Sequence, residues 1–289
     1  MSSIKERIAY EMHKPARKNF PRRRVKVLFP GDLLQADLVD MQKYSKDNKG
    51  YKYLLTVIDC FSKKAWAVPV KDKSGPAVTK AVESVLPNGV KHLQTDQGLE
   101  FFNKHFSKLM AARNIIHYHT YSHLKASIVE RLNKSLKGWM WREFSAQGSY
   151  KWLDMLPKLL HKYNNKVHRS IGMAPNKVTS KNKDIVYDRL MNKTIKSKRP
   201  KYKIGDTVRI SKYKHVFSKG YNPSWSGELF KIHEVKDTNP VTYILKDENG
   251  GVIKGGFYEQ EILKTDYKDI YLVEKIIKKQ GDKLFLLSG

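Results

Sequence analysis

The sequence predicts an α/β fold with a mixed sheet flanked by helices, followed by a small β-barrel. Three observations carry this expectation. Strand-length apolar runs cluster early in the chain, helical and strand patterns then alternate, and the last ~90 residues break into short strands punctuated by Gly and Asn. With 289 residues, about two domains are expected, and 40% hydrophobic content is enough to build a sizeable core.

Two runs, Leu34 to Val39 and Tyr53 to Cys60, are of strand length, and Gly50 with several polar residues separates them, so they should pair as a hairpin. Ala65 to Val70 reads as a third strand. Gly75-Pro76 opens a helical pattern through Leu86. Val90 to Thr95 reads as a strand, Asn103 to Arg113 as a helix and Ile115 to Thr120 as a strand. Lys125 to Phe144 carries apolar residues at 128, 129, 132, 136, 139 and 140, the spacing of an amphipathic helix. Further on, Asp206 to Ile210, Leu229 to Ile232, Thr242 to Leu245 and Val252 to Tyr258 are the short strands of the expected barrel.

These patterns divide the chain into a basic N-terminal arm (1–27), a mixed-sheet core (28–180), a basic linker (181–202), the barrel (203–265) and a short tail (266–289). The arm, interrupted by prolines, reads as a mostly extended lead-in with room for one short helix. The stretch Arg189 to Lys203 holds seven basic and no acidic residues around Pro200, as expected of an exposed linker that can also touch phosphate.

Charge narrows the partner. Lys and Arg number 56 against 28 Asp and Glu, a net +28, spread as +7, +12 and +9 over residues 1–27, 28–180 and 181–289. Such a spread suits a protein lying along an extended polyanion, and nucleic acid is the first partner to consider. One cysteine, Cys60, excludes an internal disulfide or a zinc site built from Cys pairs. No uninterrupted apolar stretch approaches membrane-spanning length and the N-terminus has no apolar signal region, so an intracellular protein without a membrane partner is expected.

Four acids sit where strands or helix starts would bring them to a sheet edge: Asp37, Asp59, Asp96 and Glu130. A carboxylate inside an apolar strand is costly unless paired or bound to metal. If Asp37, Asp96 and Glu130 converge, their oxygens suit Mg²⁺ or Mn²⁺, and a pair of such ions could activate a hydroxyl nucleophile and stabilise a departing phosphodiester oxygen. The plain alternative is that each acid is a cap, a turn residue or an ion-pair partner. Lys134 and Lys137 lie four and seven residues after Glu130 on one helix face, with Asn133 just off that stripe. They could hold a DNA backbone near the acids or form an ordinary solvated basic face.

These residues resemble the retroviral and retroelement integrase core with its Asp, Asp, Glu triad. Gln35-Ala36-Asp37-Leu38 is similar to the strand bearing the first Asp, and Gln94-Thr95-Asp96-Gln97-Gly98-Leu99-Glu100-Phe101 to the T-D-x-G-x-E-F motif. Ile128 to Lys137 is similar to the V-E-R-x-N-x-x-L-K helix, and Tyr163-Asn164 with His168, Ser170 and Pro175 to the closing segment. Asp37 and Asp96 are 59 apart and Asp96 and Glu130 34 apart, the second spacing two short of the retroviral one.

The resemblance implies a ribonuclease H-like core and an SH3-like barrel. It implies Asp37, Asp96 and Glu130 as catalytic residues and metal ligands for two Mg²⁺ or Mn²⁺ ions. It further implies DNA contacts from Lys134, Lys137, Asn133 and Arg131, a structural His168, and 3′-end processing followed by strand transfer of element DNA into target DNA. A homo-oligomer on double-stranded DNA, dimer or tetramer, in a eukaryotic nucleus would go with it. Gln35-Ala36-Asp37-Leu38-Val39-Asp40-Met41 and Ala65 to Val70 look most like integrases of Polinton/Maverick-type transposons. Tyr271 to Ile277 looks like the first strand of a chromodomain cut short, so no methyl-lysine cage is expected, and the zinc domain of retroviral integrases is missing. A non-catalytic DNA- or chromatin-binding derivative and a ribonuclease H acting on RNA–DNA hybrids are the rival readings.

Overall fold

The structure is a computed structural model that describes residues 3–17, 19–119, 126–191, 199–212 and 221–268, with the backbone alone of 273–280 and 283–288. The chain divides into two compact units, Val25–Thr194 and Met1–Arg24 with Ile195–Gly289. In chain order the first elements are α1 (Ile4–His13), β1 (Leu33–Asp40), β2 (Tyr53–Asp59), β3 (Ala65–Val70), α2 (Gly75–Val85) and β4 (His92–Thr95). They are followed by α3 (Lys104–Ala112), β5 (Ile116–His119), α4 (Ser127–Gln147), α5 (Leu156–Asn165) and α6 (Lys183–Met191).

The core unit is a five-stranded mixed sheet in the order β3-β2-β1-β4-β5. β1, β2 and β3 pair antiparallel, as the hairpin pattern predicts, whereas β1 with β4 and β4 with β5 run parallel across helical crossovers. Because strand side chains alternate, β1 sends Leu34 and Ala36 to one face and Val39 to the other. The first face packs on α2 and α3 through Val78, Val82, Phe106 and Leu109. The second packs on α4 and α5 through Val129, Leu132, Leu136, Met140 and Leu159. Each cluster buries upward of a dozen apolar side chains at about 1.5–3 kcal/mol apiece, which outweighs weak local preferences such as Ile and Val in a helix. The apolar stripe of α4 recurs at i/i+3/i+4, and the helix stops at Gly148, whose φ of 64° closes its C-terminus at low cost.

One stretch differs from the sequence expectation: the expected linker contains α6, whose Val186 is fully buried among Val27, Leu33, Phe61 and Ile171. The N-terminal arm holds the one short helix it had room for, α1, where Ser3 and Glu6 form a reciprocal capping box and Ile8 and Met12 are buried.

The second unit holds β6 (Thr207–Ile210), β7 (Phe230–Lys236), β8 (Thr242–Lys246), β9 (Phe257–Tyr258) and β10 (Ile262–Lys264). They form an antiparallel sheet in the order β10-β6-β7-β8-β9 around Tyr202, Val208, Ile232, Tyr243 and Leu245. The expected short strands form this five-stranded antiparallel sheet, with β9 much shorter than the run expected from Val252. Residues 11–14 dock here: the Met12 carbonyl accepts from Ser224 and Trp225 N–H, and Trp225 Nε1 donates to the Lys14 carbonyl. β11 (Val273–Gln280) and β12 (Lys283–Ser288) make a separate antiparallel pair in the tail, covering part of the chromodomain-like stretch. Two of its residues, 271 and 272, lie outside the described residues. No helix of the described residues is long and apolar enough to cross a membrane.

Candidate active site

Asp37 sits in the middle of β1 on the face toward α4, half-buried. Its Oδ1 accepts from the Leu38 N–H at 2.9 Å and its Oδ2 from Asn133 Nδ2 at 2.7 Å. Burial pushes its pKa above the usual 3.8, and the nearby Asp96 carboxylate adds to the rise, while the two hydrogen bonds and the Lys137 charge pull it back. An acid that remains beside another acid in partial burial is costly unless something cationic compensates it.

Asp96 follows β4 in a tight turn. Its Oδ1 accepts from the Gly98 N–H at 3.1 Å, and buried Phe101, edge-on to Phe106, anchors the turn below. Thr95 Oγ1 donates to the Asp96 carbonyl at 2.8 Å and meets His117 Nε2 at 2.9 Å. Since the hydroxyl has one proton, His117 must donate from Nε2. Burial drives the His117 imidazole down to about 4, aided by His119, so it is neutral near pH 7. Phe102 stacks on its ring at 4.5 Å. His117 is a supporting residue the sequence reading missed; its signal was position, directly across β5 from β4.

Glu130 projects from the first turns of α4. With Asp37, Asp40, Asn133, Lys134 and Lys137 it lines one open depression, so the structure brings most of the expected site to one place. Asp96 stands beside Asp37, near enough to burden its ionisation. Among the described residues, however, no group of three or more His, Cys, Asp and Glu side chains is close enough to hold a metal ion. Of the three expected acids, Asp37 and Glu130 line the depression and Asp96 stands alongside, with Asp37 and Asp96 each also accepting a local backbone N–H. The residues fit a hard divalent cation in kind: the donors are all oxygen, and Asn133 Oδ1 is buried beside Asp37 with no hydrogen-bond partner among the described residues.

Three other candidates lie apart. Asp59 ends β2 as a turn residue, accepting from Phe61 N–H at 3.0 Å and Ser62 Oγ at 2.6 Å. Arg131 does not line the depression; its charge bears on Lys63, Tyr163 and His168. His168 contacts Ser170 Oγ at 3.0 Å and packs edge-on to Tyr163, a structural placement. Burial lowers its pKa to about 4, with Lys63, Arg131 and Arg169 adding to the fall.

Comparison with known proteins finds relatives of the chain. Residues 29–123 match the integrase core domain family. A transposon-derived protein of Caenorhabditis elegans is 30% identical over 226 residues, spanning 77% of this chain and 76% of that protein. The Gag-Pol polyprotein of feline leukemia virus is 31% identical over 133 residues, 44% of this chain but 8% of the polyprotein. Among solved structures, a chain of the simian T-cell lymphotropic virus intasome superposes with a TM-score of 0.60 over 85% of this chain and 83% of that one, at 15% identity, a likeness of fold. With its mixed sheet, the acids on β1, at the end of β4 and on α4, and these relatives, the chain belongs to the integrase core domain family.

Proposed function

We propose that the chain is a metal-dependent DNA integrase, a polynucleotidyl transferase that processes the 3′ ends of an element and joins them to target DNA. The observation that carries this reading is the single depression lined by Asp37, Glu130, Asn133, Lys134 and Lys137, with Asp96 beside it. Asp37, Asp96 and Glu130 would hold one or two Mg²⁺ or Mn²⁺ ions, which when bound supply electrophilic stabilisation of the phosphate and a more acidic hydroxyl. Lys134 and Lys137 hold the DNA backbone against the acids as point charges, and Asn133 orients the Asp37 carboxylate through its 2.7 Å hydrogen bond. In the joining step a DNA 3′-oxygen bonds to the target phosphorus. The bond from that phosphorus to the target's own 3′-oxygen breaks, and the proton lost by the attacking hydroxyl ends on the departing one.

The same reading assigns an SH3-like role to the β6–β10 sheet, assembly as a dimer or tetramer on double-stranded DNA, action in a eukaryotic nucleus, and kinship with Polinton/Maverick-type elements. The test is joining of duplex oligonucleotides to plasmid DNA by the purified chain with Mg²⁺. Activity that survives Asp96→Asn with Glu130→Gln would reject the assigned roles.

A second reading is a non-catalytic DNA-binding derivative. It is favoured by the absence of a gathered three-acid group among the described residues and by the +28 charge. Salt-dependent DNA binding with no metal-dependent cleavage or joining would establish it.

A further inference from the structure

Helix α4 begins without a cap of its own. An α-helix leaves its first N–H groups without intrahelical acceptors, and the N-cap residue here is Ala126, which makes no side-chain cap hydrogen bond. The acceptor arrives from the sheet instead. Gln35 Oε1 takes the N–H of Ile128 at 3.0 Å and that of Val129 at 3.0 Å. With its oxygen committed to two donors, the amide has one orientation, and Gln35 Nε2 donates to Gln94 Oε1 at 2.9 Å.

Both glutamines are almost wholly buried, at 1% and 5% exposure, and they are register partners across the parallel β1–β4 pair. Alternation along a strand puts Gln35 on the same face as Asp37, and Gln94 two residues before Asp96. Val129, whose N–H Gln35 holds, directly precedes Glu130. One amide pair thus touches the three elements that carry the three acids.

We propose that Gln35 and Gln94 are positioning residues that set the mutual reach of Asp37, Asp96 and Glu130 by tying β1, β4 and the start of α4 together. The inference rests on the reading of those acids as the metal-binding set. A cap supplied by α4 itself would fix the helix start but not its place over the sheet; a cap supplied by β1 does both. Replacing Gln35 with an apolar residue would strand two buried N–H groups and free the helix start to shift.

The test measures two quantities on the full chain: hydrogen exchange of the Ile128 and Val129 amides, and Mn²⁺ affinity by calorimetric titration. Gln35→Met should speed both amides about ten-fold or more and weaken Mn²⁺ binding by about ten-fold. Gln35→Glu should restore protection and bring affinity to within about three-fold of wild type. Its carboxyl accepts the two N–H groups with one oxygen and engages Gln94, whose amide can turn, with the other. Should Gln35→Met not fold, Gln94→Leu removes only the strand-to-strand leg and should weaken Mn²⁺ binding about three-fold. Unchanged amide protection in Gln35→Met overturns the proposal, as does wild-type Mn²⁺ affinity in Gln35→Met or, in its place, Gln94→Leu. A wild-type chain that binds no Mn²⁺ overturns the underlying metal reading, and this proposal with it.

Discussion

The two units bury charge in opposite ways. In the unit containing α1, Arg209 is 1% exposed and meets Glu11 at 2.8 Å, and its Nη1 donates to the carbonyls of Ser226 and Gly227. Opposite charges close on each other there, and the pair joins α1 to β6. In the core, Asp37 is held beside a second carboxylate, Asp96. The first arrangement is what a fold does with charges it needs for structure; the second costs stability, and a cost of that kind concentrates where chemistry is done.

The comparison breaks first at the acids. Asp96→Asn with Glu130→Gln should cut joining by on the order of 10³-fold or more, read from plasmid products, while leaving unfolding of the core intact. Glu11→Ala should act on the other unit. By leaving Arg209 buried without its partner it should cost about 3–5 kcal/mol in denaturant unfolding, whereas Glu11→Leu with Arg209→Met should cost far less.

How much of this contrast was legible in the sequence depends on the residue. Asp37, Asp96 and Glu130 sat in motifs, and the three early strands followed from β-branched runs, so both were readable. Asp59 looked equivalent to Asp37, and only its turn partners Phe61 and Ser62 separate them. The resemblance groups Arg131 with the lysines, yet it lies one residue and so a 100° rotation from Glu130 along the helix, which carries its charge to Lys63 and His168. The docking of α1 on β6 depends on a contact 198 residues away in sequence, which no local pattern announces. Gln35 stands in a motif, but its role needs the parallel register with β4.

Smaller effects sharpen the contrast. His117 is held down at about 4 against an ordinary 6.5, so the unfolded chain takes up a proton that the fold refuses between those values. Stability from this group is present above pH 6.5 and is lost as pH falls toward 4, by about 2–3 kcal/mol. His117→Gln, which keeps a donor for Thr95, should flatten that part of the pH–stability curve. Lys134→Ala with Lys137→Ala should lower the slope of log K against log salt for DNA binding by about 2. Asp37→Asn should abolish joining yet raise the core's melting temperature by about 2–4 °C at neutral pH, since it removes a desolvated charge beside Asp96 and its amide can donate to Asn133 Oδ1. Because the carboxyl is raised above 3.8, that gain should vanish once the pH falls below this value and the wild-type acid is neutral.

Diffraction at the manganese absorption edge from crystals of the full chain grown with Mn²⁺ puts the question most directly. An anomalous peak about 2.1–2.3 Å from carboxylate oxygens of both Asp37 and Asp96, with Glu130 drawn in toward it, is the expected result. A map in which manganese binds elsewhere, or leaves those oxygens uncoordinated, would contradict the assignment of these acids as one metal-holding set.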